Sequence, residues 1–81
     1  MVLSREVLWA FLQTAYGLDP QMGDEVGLFS TGVLDSHGMI DLLGFLEEQT
    51  GVRPTWAEVN LKNLDSVLRI LAFAERLRAR G

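Results

Sequence analysis

Two side chains able to do chemistry stand together at Ser36 and His37, inside GVLDSHGMIDLL (residues 32–43), where an apolar run is about to begin. A nucleophilic serine needs a histidine facing its hydroxyl and an oxyanion hole. Neighbouring residues on a helix diverge by about 100° and do not face one another. His37 is the only histidine, so no other can take that place, and the chain is expected to have no catalytic residues and to be no enzyme. A metal site is not expected either, because one histidine, no cysteine and carboxylates scattered around a helix make a poor ligand set. Two uses for the hydroxyl stay open. Serine is a good helix N-cap, alone or assisted by Asp35. An exposed serine at the positive end of a helix is also a favourable place to attach a phosphate group.

The charge pattern narrows the partners. Seven basic and eleven acidic side chains give a net charge of −4. Residues 35–50 hold Asp35, Asp41, Glu47 and Glu48 and no Lys or Arg, so the other seven acids cancel the seven bases and the whole net charge belongs to this segment. Nucleic acid, which demands positive charge, is not an expected partner; a basic protein surface is. No run of eighteen apolar residues exists, so no membrane insertion is expected. The apolar start MVLSREVLWAFLQTAYG is interrupted by Arg5 and Glu6 and lacks a small-residue cleavage site, which argues against a signal peptide. With no cysteine the chain suits a reducing compartment, and a cytoplasmic protein is expected.

The elements that must position Ser36 are helical. Residues 1–81 are short enough for one domain with a modest core. Ser4 is placed to cap a first helix, with Leu3 and Leu8 as a hydrophobic staple, Val7, Leu8, Phe11, Leu12 and Ala15 inward, and Gly17 as the stop. Trp9 and Tyr16 read as core edge. Residues 17–35 hold four of the eight glycines and Pro20. They form a long connection, which Val26, Leu28, Phe29, Val33 and Leu34 would anchor beneath the helices. A second helix is expected from Ser36 to Thr50, ended by Gly51. Thr55 and Glu58 form a capping box for a short third helix, and a fourth starts near Asn63 with Val67, Ile70, Leu71, Ala74 and Leu77 on one face. Arg76, Arg78 and Arg80 complement its C-terminal dipole. The expected fold is all-α: a small four-helix bundle, three main helices and one short, with a long loop between the first two.

On a wheel for residues 36–50, Met39, Leu42, Leu43, Leu46 and Thr50 share the core side. His37, Ile40, Asp41, Gly44, Glu47 and Glu48 fill an arc on the other, an acidic face with one apolar residue and one glycine. Gly38 and Gly44 each cost about 1 kcal/mol against Ala in a helix, which points to close approach of a partner or an attached group.

The stretch LFSTGVLDSHGMIDLLGFLEEQTGVRPTWAEVN resembles the heart of an acyl carrier protein. GVLDSHGMIDLL is closest to the freestanding D-alanyl, aminoacyl and specialised acyl carriers. The likeness covers nearly the whole chain and includes the Asp-Ser pair, the apolar pattern after it, the Glu-Glu pair and the proline before a short helix. It implies a four-helix bundle whose serine, here Ser36, receives 4'-phosphopantetheine from coenzyme A through a phosphopantetheinyl transferase. The thiol of that arm would then hold an acyl or aminoacyl group as a thioester, supplied by an activating ligase and taken by a downstream acyl-accepting enzyme. Asp35 matches the acidic neighbour tied to transferase recognition, and His37, Ile40, Asp41, Gly44, Glu47 and Glu48 match the partner-facing helix of a carrier that works as a monomer. Fatty-acid-type carriers place Leu or Met after the serine and a larger residue where Gly44 stands, so the resemblance implies a dedicated carrier. The competing reading is a small acidic helical interaction module in which Ser36 is only the N-cap.

Overall fold

The structure, a computed structural model, describes residues 3–81. Among them the α-helices run in the order α1 (Arg5–Tyr16), α2 (Ser36–Thr50), α3 (Leu61–Leu64) and α4 (Val67–Arg80), with 3-10 turns at Pro20–Met22 and Trp56–Glu58 and no strand. The expected all-helical bundle with a long first connection is therefore what forms.

Local chemistry sets the helix ends. Ser4 Oγ accepts the Val7 N–H at 3.1 Å to open α1, and Gly17, at φ 68°, closes it in the left-handed conformation that glycine adopts without strain. Gly51, at φ 75°, does the same for α2. The fourth helix departs from expectation. Asn60, not Asn63, caps the single turn α3 by accepting the Asn63 N–H at 3.0 Å, and Ser66 then caps α4 by accepting the Arg69 N–H at 3.2 Å. Two competent caps within seven residues split what reads as one helix. The capping box at Thr55 is present, with Glu58 Oε1 accepting the Thr55 N–H at 2.8 Å, but it opens only a 3-10 turn.

The core is leucine-rich. Leu8 and Leu12 of α1, Leu42 and Leu46 of α2, Leu64 of α3 and Ile70, Phe73 and Leu77 of α4 are fully buried. Each such side chain contributes about 1.5–3 kcal/mol of burial. α4 packs against the other three helices. Val7 and Ala15 are exposed, contrary to expectation; on the α1 flank away from Val7 the buried residue is Trp9, whose indole N–H finds Asp24 Oδ1 at 2.9 Å. Phe45, outside the expected core, stacks on Phe11 with ring centroids 4.2 Å apart.

The long connection is packed and pinned by two aspartates. Asp24 takes Arg5 Nε at 2.6 Å as well as the Trp9 indole, tying the loop to α1. Asp65, between α3 and α4, accepts the N–H groups of Phe29 and Ser30 at 2.8 and 2.9 Å and the Ser30 hydroxyl at 2.7 Å. Burial alone would raise the Asp65 carboxyl, but the bonds from Ser30 and Phe29 outweigh it and hold the group below its usual value. Gly27 makes this possible, because a Cβ there would collide with Ser30 Oγ. Leu28 and Leu34 are buried as expected; Val33 is exposed, contrary to expectation, and Leu34 takes the inward place in the bend before α2.

Candidate functional site

α2 presents Ser36 at its first residue, and Asp35 is its N-cap. Asp35 Oδ1 accepts the N–H groups of His37 at 3.0 Å and Gly38 at 3.1 Å. The expectation that Ser36 caps the helix is thus corrected. Both residue types cap well, but a carboxylate answers the helix dipole more strongly than a neutral hydroxyl, and the helix starts at Ser36, one residue earlier than a Ser36 cap would start it. The consequence for chemistry is direct: Ser36 is exposed and its hydroxyl lies outside the capping bonds.

Beside it opens a cleft of about 350 Å³, lined by Tyr16, Gly32, Val33, Leu34, Asp35 and His37. Its far wall is fixed by Tyr16, whose phenol donates to Asp41 Oδ2 at 2.5 Å and so links the end of α1 to α2. Burial of the ring, and next that hydrogen bond, push the Tyr16 phenol up to about 12, so it stays protonated and remains a donor at every physiological pH. Gly38 is buried here. A Cβ on it would lie 3.4 Å from Leu34 and 3.6 Å from Tyr16, so the close approach expected at this glycine comes from within the chain.

The arc that the wheel turned outward is exposed. His37, Ile40, Asp41, Gly44 and Glu48 are exposed, and Glu47 is half-exposed. Ile40 is 68% exposed, a large apolar side chain in water one turn from Ser36. Two of the acids are engaged: Asp41 by Tyr16 and Glu47 by Arg53, whose Nε lies 3.3 Å from Glu47 Oε1. Such an open ion pair contributes little to stability and exchanges readily for another cation. Among the described residues no cluster of three or more His, Cys, Asp or Glu can hold a metal ion, and no helix is long and apolar enough to cross a membrane.

A second opening was not foreseen. A groove of about 600 Å³ runs between the C-terminal half of α2 and the segment after it, floored by Leu43, Pro54 and Val59 and bounded by Gly44, Glu47 and Trp56. Trp56 is 87% exposed. The sequence signal for it was an aromatic residue inside the capping box, whose apolar neighbours at helical spacing are only the small side chains of Val52 and Val59.

No family model matches the chain. It is 30% identical over 74 residues to D-alanyl carrier protein 1 of Lactiplantibacillus plantarum, a match spanning 91% of this chain and 92% of the relative. The chain belongs to this carrier-protein family. Carrier proteins are not themselves enzymes, and this chain presents an exposed hydroxyl at a helix start with an acidic arc beside it.

Proposed function

We propose that this carrier-family protein carries an acyl or aminoacyl group on a 4'-phosphopantetheine arm attached to Ser36. Ser36 Oγ, giving up its proton, attacks the pantetheine-bearing phosphorus of coenzyme A with a phosphopantetheinyl transferase as catalyst; the pyrophosphate bond breaks, adenosine 3',5'-bisphosphate leaves, and the arm remains on the serine as a phosphodiester. The arm supplies a thiol, which the chain lacks, and a thioester there is loaded by an activating ligase and unloaded by an acyl-accepting enzyme. The D-alanyl group in the relative's name makes a small aminoacyl group the first cargo to test.

The residues present fit such an arm. The observation that supports the reading most is that Asp35, not Ser36, satisfies the first N–H groups of α2, which leaves an exposed hydroxyl free to be esterified. Asp35 already occupies the N–H groups of His37 and Gly38. Those N–H groups therefore do not compete for the Ser36 hydroxyl, and the cleft beside it lies within reach of an attached arm. The Tyr16 ring, hydrogen-bonded to Asp41, forms part of that cleft's lining. The alternative, an acidic helical interaction module whose serine is only a cap, loses the role it gave to Ser36, since the cap is Asp35.

The test is intact mass after incubation with coenzyme A, magnesium and a broad-specificity phosphopantetheinyl transferase. The chain gains one arm and Ser36→Ala gains none; an unmodified wild-type chain refutes the reading.

A further inference from the structure

The cleft beside Ser36 is lined by the two residues that flank the serine, Asp35 and His37, and by Tyr16, Gly32, Val33 and Leu34. Part of that lining is apolar surface the bundle does not use. Val33 is 41% exposed, although Leu34 next to it is buried. Gly32 holds φ 81° in the bend that presents Val33, and a Cβ on it would meet nothing within 4 Å, so it gives the cleft a backbone edge and no side chain. The Tyr16 ring is half-buried, and its hydroxyl is committed to Asp41. Behind them Gly38 leaves out the Cβ that would crowd Leu34 and Tyr16, so these two close against α2. The charge at the cleft is unfriendly to anions. Asp35 lines it, Asp41 stands at the Tyr16 hydroxyl, and no Lys or Arg is among the lining residues.

We propose that this cleft seats the neutral, branched stretch of the arm that follows the phosphate, with the geminal methyl groups of its pantoyl unit against Val33 and the Tyr16 ring. The proposal rests on the carrier reading of Ser36 and deepens it by giving the root of the arm a binding site on this chain. Charge decides which part of the arm enters. The phosphodiester is an anion, and Asp35 and Asp41 keep it on the solvent side of Ser36. The dimethyl carbon is the second carbon beyond that phosphate, so it can lie only over the residues next to the serine. It is also the most apolar point of the arm's first half, and Val33 and Tyr16 offer apolar cover there. Tethering supplies the rest. A group on a short linker has an effective concentration in the millimolar range, so a contact too weak to hold free pantetheine is filled once the arm is attached. The groove at Trp56 does not compete for this stretch. Gly44 on its rim is eight residues beyond Ser36, about 12 Å along the helix axis at about 1.5 Å per residue, and only the distal half of the arm reaches that far. The thiol-bearing half therefore swings from a fixed root beside Tyr16, not from the serine itself.

The experiment loads the full, isotope-labelled chain with an unlabelled arm from coenzyme A, confirms loading by intact mass, and reads arm-to-chain contacts in isotope-filtered nuclear Overhauser spectra. The geminal methyls of the arm should give cross-peaks to the Val33 methyls and to the Tyr16 ring protons. Val33→Asp places a second carboxylate in the cleft and should abolish the cross-peaks to Tyr16, whereas Val33→Leu keeps the apolar wall and should retain them. Val33 is exposed, so both variants keep the helical circular dichroism of the wild type, and the loss is not read from unfolded protein. A loaded wild-type chain without cross-peaks to Val33 and Tyr16, or with cross-peaks to Val59 and Trp56 in their place, would overturn the proposal while leaving the arm on Ser36 intact. So would a loaded Val33→Asp chain whose cross-peaks to Tyr16 persist. A wild-type chain that takes no arm would instead refute the carrier reading beneath it.

Discussion

Replacing Gly44 by Ala separates a residue kept for the fold from one kept for something outside it. Helix propensity favours Ala over Gly by about 1 kcal/mol in a helix interior, and Gly44 lies well inside Ser36–Thr50. The added methyl meets no atom within 4 Å, so no clash offsets that gain. Unfolding entropy near the midpoint is about 2.1 cal/mol/K per residue, hence about 0.17 kcal/mol/K for 81 residues, and 1 kcal/mol moves Tm by about 6 °C. Gly44→Ala should therefore melt about 4–8 °C above wild type by scanning calorimetry or by circular dichroism at 222 nm. Gly38→Ala is the crowded comparison, because its methyl lands 3.4 Å from Leu34 and 3.6 Å from Tyr16, and its rise should be smaller. A Gly44→Ala chain that melts at or below wild type would mean that the glycine serves the bundle.

Leu42→Ala and Leu46→Ala each empty a fully buried position and should cost about 2–5 kcal/mol in urea or thermal unfolding; a negligible shift would put the α2 core face elsewhere. Asp35→Ala should cost about 0.5–2 kcal/mol by loss of the two capping bonds, whereas Ser36→Ala should change stability by no more than about 0.5 kcal/mol; the reverse order would restore Ser36 as the cap. The Glu58 carboxyl is held down to about 2 from an ordinary 4.5, first by Arg80 and then by the Thr55 N–H. Because the folded value is the lower one, this contribution is full above about 4.5 and is lost as pH falls through about 2. The Tm difference between wild type and Glu58→Gln should accordingly shrink on acidification across that window, and a constant difference would contradict the pairing.

The sequence carried α2 almost completely. Its apolar spacing and Gly51 marked its length and its inward leucines, and the same wheel left His37, Ile40, Asp41, Gly44, Glu47 and Glu48 facing out. What it did not carry was the choice between equals. Asp35 and Ser36 are both good caps and differ by one residue in where the helix starts. Asn60, Asn63 and Ser66 offer the same choice downstream, and only the packing of Leu64 and Val67 selects two of them. The aspartates that pin the long loop were illegible for another reason. Asp65 bonds to residues 35 and 36 positions away, and no local period reports such a contact. The Tyr16–Asp41 bond spans 25 positions and hides in the same way. The exposure of Trp56 depends on how the segment 51–60 lies along α2, a tertiary fact that no local pattern reports.

Peptide mapping of the transferase-treated protein tests the central claim most directly. Fragmentation should locate a single phosphopantetheine on Ser36. An arm found on Ser4, Ser30 or Ser66, or on no residue at all, would contradict it.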